Sequence, residues 1–202
     1  MLNMGKEVRE PRQERSIEKK NKIIRAGYEL FSEVGYYNTN TAEIARRAGV
    51  STGIVYGYFR DKKDILTAVL SLYMDKICEP IFGMFDDISA GGIREVIPKI
   101  LDSVIVAHRD YAKIHEALHS MTHTDDEVNA AFIKLEDEIT LRLEAALSEA
   151  GIVLDAPREK IHFAMDVIQS FAHEYVYDHH EYIDYARMRG IVTETLYALF
   201  AQ

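Results

Sequence analysis

The chain is poor in the features that mark secreted, fibrous or membrane proteins. One cysteine among 202 residues, Cys78, excludes an internal disulfide framework and fits a reducing compartment. Four prolines leave no material for a proline-rich linker. No apolar run approaches the ~20 residues that a membrane helix requires, and residues 1–25 are too densely charged for a signal peptide. The expectation is a soluble, cytoplasmic protein with no membrane partner. Alternating apolar runs bounded by hairpin turns, the mark of strands, are also missing. So are a G-x-S-x-G elbow, a Walker loop and a dinucleotide-binding glycine pattern. Cys78 follows Ile77 in an apolar segment and reads as core rather than nucleophile. These absences point away from an enzyme and imply no cofactor.

Apolar residues are plentiful, at 48%, and charge is unevenly spread. Residues 1–64 hold 13 Lys/Arg against 9 Asp/Glu, a net of +4, whereas the remainder holds 11 against 24, a net of −13. The overall charge of −9 therefore hides a basic amino-terminal part joined to an acidic body. Such a split suits a protein whose first part meets a polyanion.

Helical periodicity runs through the whole sequence and predicts an all-α protein of about nine helices. The first starts near Ser16, carries Ile23, Ile24, Gly27, Leu30 and Phe31 on one face, and stops at Gly35. Asn40 with Glu43 three residues on has the spacing of a capping box for the second, which ends at Gly49. A third opens at Ser51 and reaches about Phe59. Asp61 caps a fourth, which Pro80 is expected to interrupt. Gly91-Gly92 marks a loop, and further helices are expected over 93–107, 109–121, 125–149, 157–179 and 183–201. The division is a flexible mixed-charge arm over 1–15, a first part over 16–62 and a larger helical body over 63–202. Two short helices joined at a glycine, the second preceded by Gly-Val-Ser, form a helix-turn-helix pattern. Its outward residues, Thr52, Gly53, Ile54, Tyr56, Gly57 and Tyr58, offer hydroxyls, aromatic rings and bare backbone to a major groove.

The run Thr41-Ala-Glu-Ile-Ala-Arg-Arg-Ala-Gly-Val-Ser-Thr-Gly-Ile-Val-Tyr-Gly-Tyr-Phe-Arg-Asp-Lys-Lys-Asp-Ile-Leu66 resembles the TetR family of bacterial regulators. That family reads roughly I-A-x-x-A-G-V-S-x-G-x-x-Y-x-Y/H-F-x-x-K-x-x-L-L. Upstream, Ala26-Gly27, Leu30-Phe31 and Gly35-Tyr36 are similar to its first helix and exit. The resemblance covers residues 17–66 and implies a homodimeric regulator of double-stranded operator DNA. It implies a repressor, released by a small-molecule effector and paired through its last two helices. It places phosphate contacts at Tyr56, Tyr58 and Lys62, and around the start of the second helix at Thr39, Asn40 and Thr41. Thr52 and Ile54 become base readers beside Gly53, where backbone approaches DNA. Gly57 departs from the pattern, in which a larger side chain is usual.

All eight histidines lie beyond residue 107. His115, His119 and His123 form an i, i+4, i+8 stripe, and His115-Glu116-Ala117-Leu118-His119 is a literal H-E-x-x-H. It leaves open two alternatives, a metal-responsive regulator using His115 and His119 or a zinc hydrolase, though no further ligand pattern accompanies it. For the effector, the expected lining between the fourth and eighth helices includes Tyr73, Phe85, His108, Tyr111 and His115. His162, Asp166, Gln169 and His173 recur on one face of the eighth helix and are expected to point inward.

Overall fold

The computed structural model describes residues 14–86 and 92–201. The expected arm over 1–15 lies almost wholly outside them. The described residues contain helices and no strands: α1 (Glu14–Glu33), α2 (Thr41–Ala48), α3 (Thr52–Tyr58), α4 (Lys62–Asp86), α5 (Ile93–Asp110), α6 (Ala112–Thr122), α7 (Asp126–Glu149), α8 (Pro157–Tyr177) and α9 (Tyr185–Phe200). This is the all-α layout that the periodicity predicts. Among the described residues no helix is long and apolar enough to cross a membrane.

The helices divide into two compact units. The first holds α1 to α3, the start of α4 through Met74, and residues 112–132; the second holds 75–111 and 133–202. The division differs from the expected boundary at 62/63. The apolar face of α6 (Ile114, Ala117, Leu118) is buried, and α6 packs on α1. Polar ties close the same unit. The Lys113 ammonium donates to the carbonyl of Glu33, at the end of α1. Lys63 at the start of α4 bridges Asp125 at 3.0 Å and Glu127 at 2.8 Å. A segment far along the chain thus completes the amino-terminal unit.

In this first unit Ile23, Phe31, Ile44, Val55, Ile65, Leu66 and Leu70 are fully buried. At Gly27 α1 passes close to α4: a Cβ there would lie 2.7 Å from Cγ2 of Ile65 and 3.4 Å from Cγ2 of Val69. Both neighbours are β-branched and stiff, so neither can turn aside cheaply.

The second unit packs α5 against α8 and α9, and α8 against α9. Two prolines test the periodicity here. Pro80 does not end α4, which runs to Asp86. An interior proline costs about 3 kcal/mol, but Ile77, Cys78, Ile81 and Phe85 around it are all buried. Their burial, at ~1.5–3 kcal/mol for each large apolar side chain, outweighs it. Pro98 sits inside α5 and has no N–H to give the carbonyl four residues back. That carbonyl, of Arg94, instead accepts a hydrogen bond from the Tyr197 hydroxyl of α9 at 2.8 Å. The Arg189 guanidinium donates to the carbonyl of Pro98 and to Asp102, at 3.2 and 2.8 Å.

Gly27→Ala should lower stability by about 1–3 kcal/mol through overpacking. Gly57→Ala, where a Cβ meets nothing within 4 Å, should raise it by up to ~1 kcal/mol through helix propensity. Urea unfolding followed by circular dichroism reads both signs.

Candidate nucleic-acid interface

Helices of eight and seven residues cannot persist alone, so α2 and α3 depend on their ends and on what they pack against. Asn40 caps α2 as expected: its side chain accepts from the Glu43 N–H at 3.0 Å, and the Glu43 carboxylate accepts from the Asn40 N–H at 3.2 Å. Gly49 closes α2 at φ 68, the left-handed conformation that glycine adopts without a Cβ clash. Ser51 then caps α3, its hydroxyl accepting from the Ile54 N–H at 3.3 Å. Asp61 caps α4 through the Asp64 N–H at 2.9 Å.

A helix turns 100° per residue, which fixes what α3 presents. Val55 and Phe59 are buried. Opposite them lie Gly53 and Gly57, both exposed; a Cβ at Gly57 would meet nothing within 4 Å, and one at Gly53 only Oγ of Ser51 at 3.9 Å. Tyr56, half exposed at 50%, flanks this bare strip on one side with Thr52, and Ile54 flanks it on the other. The outward face of α3 is therefore backbone at its centre and side chains at its edges.

The remaining expected contacts divide into two groups. Asn40 is exposed and Thr41 half-buried at the start of α2, where N–H groups point outward. Thr39, by contrast, is buried, and its hydroxyl donates to the Gly35 carbonyl at 2.9 Å; the side chain is committed inside the loop. Lys62 also departs from expectation. Its ammonium donates to the carbonyls of Tyr36 and Thr39 at 2.7 and 2.8 Å, and lies 4.1 Å from the centre of the Tyr36 ring. Partial burial pulls its pKa below the ordinary lysine value. The geometry makes Lys62 a tie between α4 and the α1–α2 loop, with two of its three N–H donors engaged. A sequence motif places a lysine at a helix start but does not say which oxygens it will find there.

Two further residues belong to this surface and were not singled out from the sequence. Arg46 stands exposed in the last turn of α2. Its neighbour Arg47 instead turns to Glu29 and Glu33, at 3.2 and 2.8 Å, and their carboxylates raise its pKa further. Ser16 on α1 meets the Tyr58 hydroxyl at 2.8 Å across 42 residues of chain. Nothing in the local pattern announces that meeting.

The residues expected around an effector are placed as follows. In the first unit Tyr73 is buried and its hydroxyl lies 3.1 Å from Nδ1 of His115. In the second, Phe85 and His108 are buried, with Nδ1 of His108 at 2.9 Å from the Val104 carbonyl. Tyr111 is half-buried just past the end of α5. The expected inward face of α8 is a correction. His162 and Asp166 have side chains 51% and 64% exposed, and Gln169 is exposed too. The buried stripe of α8 is Ile161, Ala164, Ile168, Phe171 and Ala172, and burying that stripe turns the polar one to solvent, where it needs no partner. His173 is half-buried, 3.4 Å from Asp178 and edge-on to Tyr177. The His115, His119 and His123 rings follow one another at 5.9 and 5.1 Å between centres. Among the described residues no three His, Cys, Asp or Glu side chains gather as a metal ion would need.

A capped short helix, a left-handed glycine and a second short helix with an outward polar face define a helix-turn-helix protein. Residues 23–69 match the model for bacterial regulatory proteins of the tetR family. The regulator HbdR of Aromatoleum sp. strain CIB, an HTH-type transcriptional regulator, is 52% identical over 58 residues, which cover 29% of this chain and 25% of that one. BetI of Escherichia coli O17:K52:H18, of the same description, is 33% identical over 84 residues, 42% of this chain and 43% of that one. The chain thus spans a quarter to under half of the length of these curated relatives. A TetR-family regulator from Streptomyces coelicolor is similar in fold, with a TM-score of 0.61 at 22% identity, over 91% of this chain and 96% of that one. The amino-terminal segment is thus similar to that of tetR-family regulators, and the fold is similar to that of a solved TetR-family protein.

Lys62→Ala should cost on the order of 1–3 kcal/mol, because two carbonyls lose a charged donor. The salt dependence of DNA binding should stay at the wild-type slope. Urea unfolding and a salt titration of DNA binding separate these outcomes; a slope smaller by one would return Lys62 to the phosphate interface.

Proposed function

We propose that this chain is a sequence-specific DNA-binding repressor that acts as a homodimer and leaves its operator when a small organic effector binds. The observation that carries the reading is the outward face of α3, bare backbone bordered by Thr52, Ile54 and Tyr56. Among the described residues nothing lies within 4 Å of where a Cβ on Gly57 would stand. A bare helix face can lie close to base edges in a major groove. Ile54 offers an apolar contact to a thymine methyl, and Thr52 and Tyr56 offer hydroxyls to bases or phosphates. The excess of basic charge in residues 1–64 supplies the non-specific attraction.

Dimerisation is supported by apolar side chains left outside on the last two helices. Phe163 on α8 is 51% exposed and Ile191 on α9 is 67% exposed. Part of the apolar surface of these helices is already used within the chain: Ile161, Ile168 and Ala172 of α8, and Val192 and Leu196 of α9, are buried. The face left for a second copy therefore centres on Phe163 and Ile191. As for the effector, the buried Phe85 and His108 of the second unit remain candidates, as does the Tyr73–His115 pair of the first. His162, Asp166 and Gln169 do not.

The wild-type chain should bind duplex DNA with an affinity that falls steeply as salt rises. Tyr56→Phe should weaken binding to all sequences, and Thr52→Ala or Ile54→Ala should relax preference at particular base pairs. Electrophoretic shifts and a binding-site selection read these effects; a wild-type chain indifferent to DNA at low salt overturns the proposal. Light scattering at micromolar concentration should give a dimer mass, and Ile191→Asp with Phe163→Asp should give a folded monomer. A monomer in the wild type excludes the assembly.

A further inference from the structure

The members of the H-E-x-x-H segment turn to different surroundings. His115 is half-buried, with Nδ1 3.1 Å from the Tyr73 hydroxyl. Glu116, one residue and 100° further round α6, is exposed instead. It lines a cleft of about 280 Å³ between α6 and residues 34–38, the loop that leaves α1. Both walls belong to the first unit. That volume stands at the lower end of the range for small-molecule sites.

The cations and donors around the cleft are already committed. The Lys113 ammonium donates to the Glu33 carbonyl, and the Asn38 amide N–H donates to the Val34 carbonyl at 3.0 Å. The Glu33 carboxylate, close by in sequence, is held by Arg47 at 2.8 Å. What the cleft offers a visitor is therefore acceptors: the Glu116 carboxylate and the side-chain oxygen of Asn38, both on exposed residues. Beside them stands an aromatic wall, Tyr37, which is 69% exposed. A carboxylate next to an open aromatic ring suits an organic ammonium, because the carboxylate and the negative face of the ring both attract the charge. The same loop already holds one ammonium in this way. Lys62 lies 4.1 Å from the centre of the Tyr36 ring, and Tyr36 stands edge-on to Tyr37 with ring centres 5.2 Å apart. Lys113, three residues before Glu116 on the same helix face, sets the limit on charge: it repels a second cationic group, which favours a monoamine over a polyamine.

We propose that this cleft binds a small organic monoammonium, with its charged head at Glu116 and Asn38 and its apolar body against Tyr37, Val34 and Ala117. The site shares no residue with the effector candidates named above and does not depend on the repressor reading. Its loop carries the Tyr36 carbonyl that Lys62 holds, so an occupant ties that loop to α6. A ligand that binds only the folded chain also raises its stability by mass action.

Phenethylammonium is the probe, and phenylacetate is its counterpart of similar shape and opposite charge. Saturation-transfer NMR on the wild-type chain, at fixed ionic strength, should show saturable binding of the ammonium with a dissociation constant of about 1 mM, as befits a ligand of that size. Phenylacetate should bind at least tenfold more weakly. Glu116→Gln should weaken ammonium binding about tenfold, and Tyr37→Ala roughly 3- to 10-fold. Both side chains are exposed, so the unliganded variants should melt within about 2 °C of wild type. The site is overturned by a lack of saturable binding, by equal binding of phenylacetate, or by unchanged affinity in Glu116→Gln. None of these readings uses DNA, so the repressor proposal stands or falls separately.

Discussion

Everything in the reading head depends on holding two helices that are too short to hold themselves. The Lys62 ammonium does much of this, bonding the carbonyls of Tyr36 and Thr39 and resting against the Tyr36 ring. It thereby fastens the loop before α2 to the start of α4. Asn40, at the end of that loop, closes the capping box on α2, and Gly49 and Ser51 hand the chain on to α3. If the loop were loose, the direction of α2 would be undefined, and with it the face that α3 offers.

A second constraint is that the head does not end where α4 begins. The α6 helix and the turn into α7 join it through a buried apolar face, through Lys113 on the carbonyl of Glu33, and through Lys63 on Asp125 and Glu127. Exposed ion pairs of this kind contribute little one by one. Their value here is geometric, because they set which oxygen each cation faces.

The surface that α3 presents is economical in side chains. Gly53 and Gly57 weaken a seven-residue helix, and the fold gives no packing reason for either. Their cost is sensible if a second macromolecule must approach the backbone closely.

Much of this was legible in the sequence. The nine helices of the described residues, the capping box at Asn40 and Glu43, the left-handed Gly49 and the cap at Asp61 all follow from local rules that involve residues within four positions of each other. The helix-turn-helix followed from the same rules, together with the resemblance at residues 17–66. What the sequence could not decide depended on partners far along the chain. Pro80 was expected to end α4, but burial of Ile77, Ile81 and Phe85 carries the helix through it. Lys62 was expected to face a phosphate, and the sequence did not show that its neighbours within the fold include two carbonyls. The polar stripe of α8 had to face in or out, and only the packing of Ile161, Ala164, Ile168 and Phe171 chose outward. Local hydrogen bonds and helix period are written residue by residue, whereas the partner of an ammonium, a hydroxyl or a helix face is fixed only when distant segments meet.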